Sequence, residues 1–379
     1  MLDRRREEFP SLAAGIHLLS HSLGPMPARA RESLARYLDL WEGYGGENAW
    51  KKEWWELSGQ MGDRIARLLG ASQGSVQIQP SASVAFSAVA SCFDFHAGPR
   101  RKIVTTELEF PTTGYIWREQ ERQGASVHVI ASEDGVTTPV DRLLEAIDEE
   151  TALVVVSHAS YRSSFLLDPV SVVERAHAVG SLVLLDVYQT AGVLPLDVSG
   201  WGVDFAVGGT IKWLCGGPAC GYLYVRPDLI GTLEPRLTGW IAHAEPFDFA
   251  PGRIRYAPGV RRFAQGTPSV AALYSCRPGL EIILDVGTEG IASESRRRTQ
   301  WMVETASERG WNVKSPRDAA QRGGSVMLGV ENPERLEAEL QRRGIFVDWR
   351  PGVLRISPHF FNTDEEIEQA LTMLGELLG

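Results

Sequence analysis

Two spacings of apolar residues run along the chain. Leu34, Leu38 and Trp41 recur at three- and four-residue intervals, which predicts a helix over 27–41, and a second helix is read over 54–69. Short apolar runs then alternate with helical stretches. Strands are expected at 76–78, 102–105, 127–130, 153–157, 183–186, 205–207 and 221–225, with a helix opening at Val84. Such alternation predicts an α/β fold with a mostly parallel sheet covered by helices on both faces. The texture changes near Pro268. Helices at 270–286 and 290–308 precede strands at 325–330, 346–349 and 353–357. An acidic helix follows at 363–378, with Thr363 placed as its N-cap.

This pattern divides the chain into an N-terminal arm (1–25), a large α/β domain (26–267) and a small C-terminal α+β domain (268–379). No repeat, heptad array or low-complexity segment interrupts it. Composition fits a globular protein, with 44% hydrophobic and 23% charged residues in 379. No apolar run approaches a membrane span, and the start, Met1-Leu2-Asp3-Arg4-Arg5-Arg6, lacks the apolar core of a secretion signal. Four cysteines without a CxxC pair argue against a disulfide framework or a zinc site, and a cytoplasmic location is expected. A net charge of −10 without a basic block makes nucleic acid an unsuitable partner.

Candidate chemistry centres on Lys212, in Val207-Gly208-Gly209-Thr210-Ile211-Lys212-Trp213-Leu214. A lysine between apolar residues either keeps its head in solvent at a strand edge or is no ammonium at all. In the second case it forms a Schiff base on an aldehyde cofactor, pyridoxal 5′-phosphate. Flanking glycines would let the backbone pass close to such a ligand. Upstream, the run Leu182-Val183-Leu184-Leu185 reads as a buried strand ending at Asp186, at the sheet edge where α/β folds place ligands. A carboxylate there can cap the next segment or keep a pyridine nitrogen protonated, so that the ring accepts electrons from a carbanion. With one further strand between Asp186 and Lys212, the second reading is preferred for both.

Here the chain resembles the pyridoxal-phosphate enzymes of the class V aminotransferase type (fold type I), and within them the kynureninase-like branch. Five further segments carry the resemblance in the family's order. Leu19-Ser20-His21-Ser22-Leu23-Gly24-Pro25-Met26-Pro27 is similar to its Asn-Ser-Leu-Gly-Pro-x-Pro, and Glu109-Phe110-Pro111-Thr112-Thr113 to its Phe-Pro-Thr-Asp. Ser157-His158-Ala159-Ser160-Tyr161-Arg162-Ser163 is similar to its His-Val-x-Tyr-x-Thr-Gly, Gln265-Gly266-Thr267-Pro268 falls at its inter-subunit turn, and Leu354-Arg355-Ile356-Ser357-Pro358 is similar to its Leu-Arg-x-x-Pro.

The resemblance implies roles. Ser81 and Ala82 open a helix after a strand and would bind the phosphate, where plain N-capping is the other reading. Phe110 would stack on the cofactor ring rather than merely fill the core. Gln189 would hydrogen-bond the phenolic oxygen, and Thr210 would join the cofactor site. Arg355 would hold a substrate α-carboxylate, with Tyr161 and Arg162 nearby and Arg350 as a weaker second candidate. An internal salt bridge is the competing reading of Arg355. Trp240 and Thr267 would reach into a neighbouring subunit's pocket, which implies a homodimer with shared sites.

Some positions depart from kynureninases. Ile211 stands for their Tyr, Thr113 for their Asp, Thr267 for their Asn, and no histidine matches theirs at residues 43–46. The cofactor machinery is kept while the kynurenine-specific groups are lost. The expected activity is cleavage of a Cβ–Cγ or Cβ–X bond of an α-amino acid through carbanion chemistry. Transamination and a non-catalytic cofactor-binding protein are the alternatives. A cysteine desulfurase is disfavoured, because Arg322-Gly323-Gly324 carries no cysteine and Cys215 and Cys220 read as packing.

Overall fold

A computed structural model describes residues 3–378. Met1, Leu2 and Gly379, the ends of the expected arm and small domain, lie outside the described residues, as does the side chain of Tyr44 in the 43–46 segment.

Seven strands form the large sheet in the spatial order Val76–Gln79, Gly221–Val225, Phe205–Gly209, Leu182–Asp186, Thr151–Ser157, Lys102–Thr106 and Ser126–Ile130. Gly221–Val225 runs antiparallel to both neighbours, and the other pairings are parallel. The central strands are buried on both faces, which is why they read as unbroken apolar runs rather than alternating ones. The expected α/β class, with a mostly parallel sheet and a smaller C-terminal domain, is the one observed.

The small sheet has the order Asp348–Arg350, Val353–Ile356, Val326–Gly329, Asn312–Val313, all antiparallel. The single strand expected over 346–349 is two. Ile345–Phe346 pairs in parallel with Ile16–His17 of the arm, and after buried Val347 the chain joins the small sheet as Asp348–Arg350. The final helix, Asp364–Leu378, begins as expected at Thr363. The Thr363 hydroxyl accepts from the Glu366 N–H at 3.3 Å, and the Glu366 carboxylate accepts from the Thr363 N–H at 3.1 Å.

Two expectations need correction. The first helix, Arg29–Ala49, continues well past Trp41 and breaks at Gly45 (φ 64°). One wide turn at Trp50–Trp54 then leads into Trp55–Leu68. Leu38 and Trp41, whose spacing predicts the helix, are 57% and 53% exposed, whereas Ala30 and Leu40 are buried. Secondly, the proline after Phe110 makes that segment read as a loop in the sequence, but it opens a helix. Phe110 is the N-cap residue of the helix Pro111–Glu119, whose first position suits proline because the N–H lost there has no partner anyway. No helix of the described residues is long and apolar enough to cross a membrane.

Candidate active site

The parallel register lines up the carboxyl ends of three strands. Ser157 pairs with Asp186, Asp186 with Val207, and Lys212 follows three residues after Phe205–Gly209. A cavity of about 260 Å³ at this edge gathers Ser81, Ala82, Phe110, Tyr161, Asp186, Gln189 and Lys212. Seven of the twelve residues singled out from the sequence therefore meet in one place.

Lys212 is half-buried, with Nζ 4.2 Å from the Tyr188 ring centroid and 5.7 Å from that of Phe110. Burial lowers its amine to about 8, against the opposing pull of Asp186 and with help from Arg355 and Arg350. One Asp186 oxygen accepts the Tyr188 N–H at 2.8 Å, and the carboxylate makes no other hydrogen bond among the described residues although it lines the cavity. Burial pushes Asp186 up, while the Tyr188 N–H and Lys212 pull it down.

The glycines before Lys212 are required by the protein's own packing. A Cβ on Gly208 would collide with the Tyr222 hydroxyl, and one on Gly209 with the Tyr188 hydroxyl.

Ser81 caps the helix Ala82–Ala90, its Oγ accepting the Val84 N–H at 3.2 Å, and the first turn of that helix lines the cavity. Capping and anion binding are thus compatible here, since the cap takes one N–H and leaves others of the first turn for an anion. Phe110 meets Tyr161 edge to face at 5.2 Å. The Gln189 amide donates to the His21 carbonyl at 3.2 Å and accepts from Trp213 Nε1–H at 3.3 Å.

Five expected residues lie elsewhere. The buried Thr210 hydroxyl is spent on the carbonyls of Gly217 and Cys220, at 3.1 and 3.2 Å. Arg162 is exposed beside Tyr161. Arg355 is fully buried, donating from Nη1 to the Tyr161 carbonyl at 3.0 Å and from Nη2 to the Asp348 carboxylate, so the internal ion pair left open from the sequence exists. Its Nε has no partner. Thr267 lines a second cavity of about 450 Å³ together with Trp50 and Trp55, whose rings lie 6.5 and 6.3 Å from that of Trp240.

Sequence reasoning passed over several neighbours. Tyr188 and Ser157 line the cavity. Glu109 is pushed up to about 7 by burial, against hydrogen bonds from Ser157 and Thr106. His21, inside a quoted motif but given no role, contacts Ser357 Oγ through Nδ1 at 2.5 Å. The arm that carries it is fastened to distant segments. Leu18 exchanges backbone hydrogen bonds with Phe346 and Ser357, and the Gly24 N–H donates to the Ile211 carbonyl at 2.8 Å.

The described cysteines do not resemble a mobile nucleophile. Cys215, Cys220 and Cys276 are buried, and half-buried Cys92 is pushed up to about 12 by burial.

The donor set fits pyridoxal 5′-phosphate: a buried amine of lowered basicity for an aldehyde, a carboxylate with one oxygen uncommitted for a ring nitrogen, and a helix N-terminus for a phosphate. Fold and site together define a fold type I enzyme dependent on that cofactor. The chain belongs to the Aminotransferase class-V family, which matches residues 16–369. It is 32% identical over 369 residues to the "Uncharacterized aminotransferase YcbU" of Bacillus subtilis (strain 168), covering 97% of this chain and 96% of that one. It is 29% identical to the kynureninase of Pseudomonas fluorescens, covering 98% and 91%. Among solved structures, an apo cysteine desulfurase from Thermococcus onnurineus NA1 superposes with a TM-score of 0.88 at 21% identity, covering 99% of this chain and 97% of that one.

Proposed function

We propose that the protein cleaves a side-chain bond of an α-amino acid, as a hydrolase or lyase of the kynureninase-like branch. The observation that carries this is the meeting of Lys212 and Asp186 in one cavity, with Arg355 anchored just behind Tyr161. The bound cofactor supplies an aldehyde that captures amines and a ring that accepts an electron pair. Lys212 would hold the aldehyde, and its Nζ, as a free amine, would take the substrate's α-proton. Its lowered basicity leaves a useful fraction of free amine near neutral pH. Asp186 keeps the ring nitrogen protonated through its uncommitted oxygen. The first turn at Ser81 and Ala82 holds the phosphate. Phe110 would stack on the ring, Gln189 would face the phenolic oxygen, and Arg355, behind Tyr161, would hold the α-carboxylate through its unpartnered Nε edge.

Trp240 and Thr267 lie outside this cavity and are exposed, which supports a homodimer in which they complete the partner's site. Thr210 supports the lysine loop through its carbonyl contacts. Transamination is the second reading, favoured by the 32% identity to a relative named an aminotransferase.

The test is anthranilate release from kynurenine by the wild-type enzyme, beside keto-acid formation from a panel of amino acids. Ile211, Thr113 and Thr267 lack the phenol, carboxylate and amide that kynureninases carry at these positions, at about 1–3 kcal/mol per unmatched group. Weak or absent kynurenine turnover with activity on another amino acid is therefore expected. A kcat/KM of about 10⁴ M⁻¹s⁻¹ or more on kynurenine would make the protein a true kynureninase.

A further inference from the structure

Behind the cavity, Asp348 gathers charge. It lies directly opposite Arg355 on adjacent antiparallel strands, and its carboxylate accepts from Arg355 Nη2 and, at 2.8 Å, from Arg350 Nη1. His21 Nε2 stands 3.7 Å from the same carboxylate, buried and without a hydrogen-bond partner. Two guanidiniums and one carboxylate leave a single positive charge, with His21 held neutral by burial and by the nearby charges of Arg355 and Lys212. Within the cavity, Lys212 and Asp186 are of opposite sign, and Arg162 is exposed outside it. One incoming α-carboxylate uses up the surplus. A second would be buried without a counter-charge, which costs far more than burying an amide of the same shape.

We propose that Asp348 is a specificity-determining residue: by sharing Arg355 and Arg350 it limits the carboxylate-binding end to one net positive charge, so the site accepts amino acids with a single carboxylate and refuses acidic ones. This rests on the reading of Arg355 as the carboxylate anchor. The hairpin register sets the sharing up, since it places Asp348 and Arg355 directly opposite each other on one face of the small sheet.

The test titrates holoenzyme with L-glutamine against L-glutamate, and L-asparagine against L-aspartate, following the visible absorbance of the bound cofactor. Each amide should bind the wild type at least about tenfold tighter than its acid. Asp348→Asn should shrink that ratio at least about tenfold by raising the surplus to two, whereas Asp348→Glu should retain it. An unchanged ratio in an Asp348→Asn protein that still holds its cofactor overturns the assignment. If that variant fails to fold, Arg350→Gln decides: it should weaken both amides at least about tenfold, and unaltered affinity overturns the proposal. A wild-type protein that answers to no amino acid overturns the function on which Asp348's role rests; a wild type that answers, with an unmoved ratio in the variant, overturns Asp348's role alone.

Discussion

Lys212 should reveal its surroundings through pH. Burial holds the folded amine at about 8, so it is protonated below that value and free above it. Capture of added cofactor by apoprotein should accelerate with pH and level off just above 8. Absorbance traces that keep accelerating toward pH 10 would mean an exposed, ordinary lysine. Borohydride followed by mass mapping should find the reduced adduct on Lys212 and no other lysine. Asp186→Asn should keep its cofactor yet lose a few kcal/mol of transition-state stabilisation, about 100-fold or more in kcat; near-normal turnover would reduce Asp186 to a cap. These two residues were legible in the sequence because each is a charged residue set against an apolar run. The partnership of Arg355 with Asp348 was not, because it depends on hairpin register. The packing need for Gly208 and Gly209 was not legible either, because the tyrosine hydroxyls they admit come from Tyr222 on a neighbouring strand and from Tyr188 beyond the end of another.

Elements buried on both faces were the easiest to recognise, and Thr151–Ser157 and Leu182–Asp186 fall close to their expected limits. Helix faces were harder. Leu38 and Trp41 keep helical spacing with Leu34, yet they lie on the outer side of Arg29–Ala49. Periodicity marks an apolar face without saying what covers it. The break at Val347 was hidden because both flanking pieces are strand-like, and only their different partners separate them. A test of element packing lies at the end of Phe205–Gly209. Gly209→Ala should destabilise the protein by about 1–3 kcal/mol through overpacking against Tyr188. Tyr188→Phe on that background should recover part of the loss in a thermal melt. A Gly209→Ala protein as stable as wild type would show that the strand end yields freely.

The whole molecule exposes an aromatic group, Trp240, Phe247 and Phe249, on the side of the second cavity. Apolar surface of this kind marks an interaction site more often than a free face. Light scattering should therefore give twice the 41.7 kDa chain mass. Trp240→Arg should shift the protein toward monomer and loosen the cofactor, whereas a tight-binding monomer would confine each site to one chain. The fastening of the N-terminal arm bears on how the protein is made. Residues 16–24 leave the ribosome well before the strand Ile345–Phe346 and Ser357, which grip them. For roughly tens of seconds of translation the arm has nothing to hold it, and the lysine loop lacks the Gly24 contact that the fixed arm supplies. The Lys212 cavity is thus finished only once Ile345–Phe346 and Ser357 have been made, and a chain stalled on the ribosome between Lys212 and Ile345 should fail to keep its cofactor.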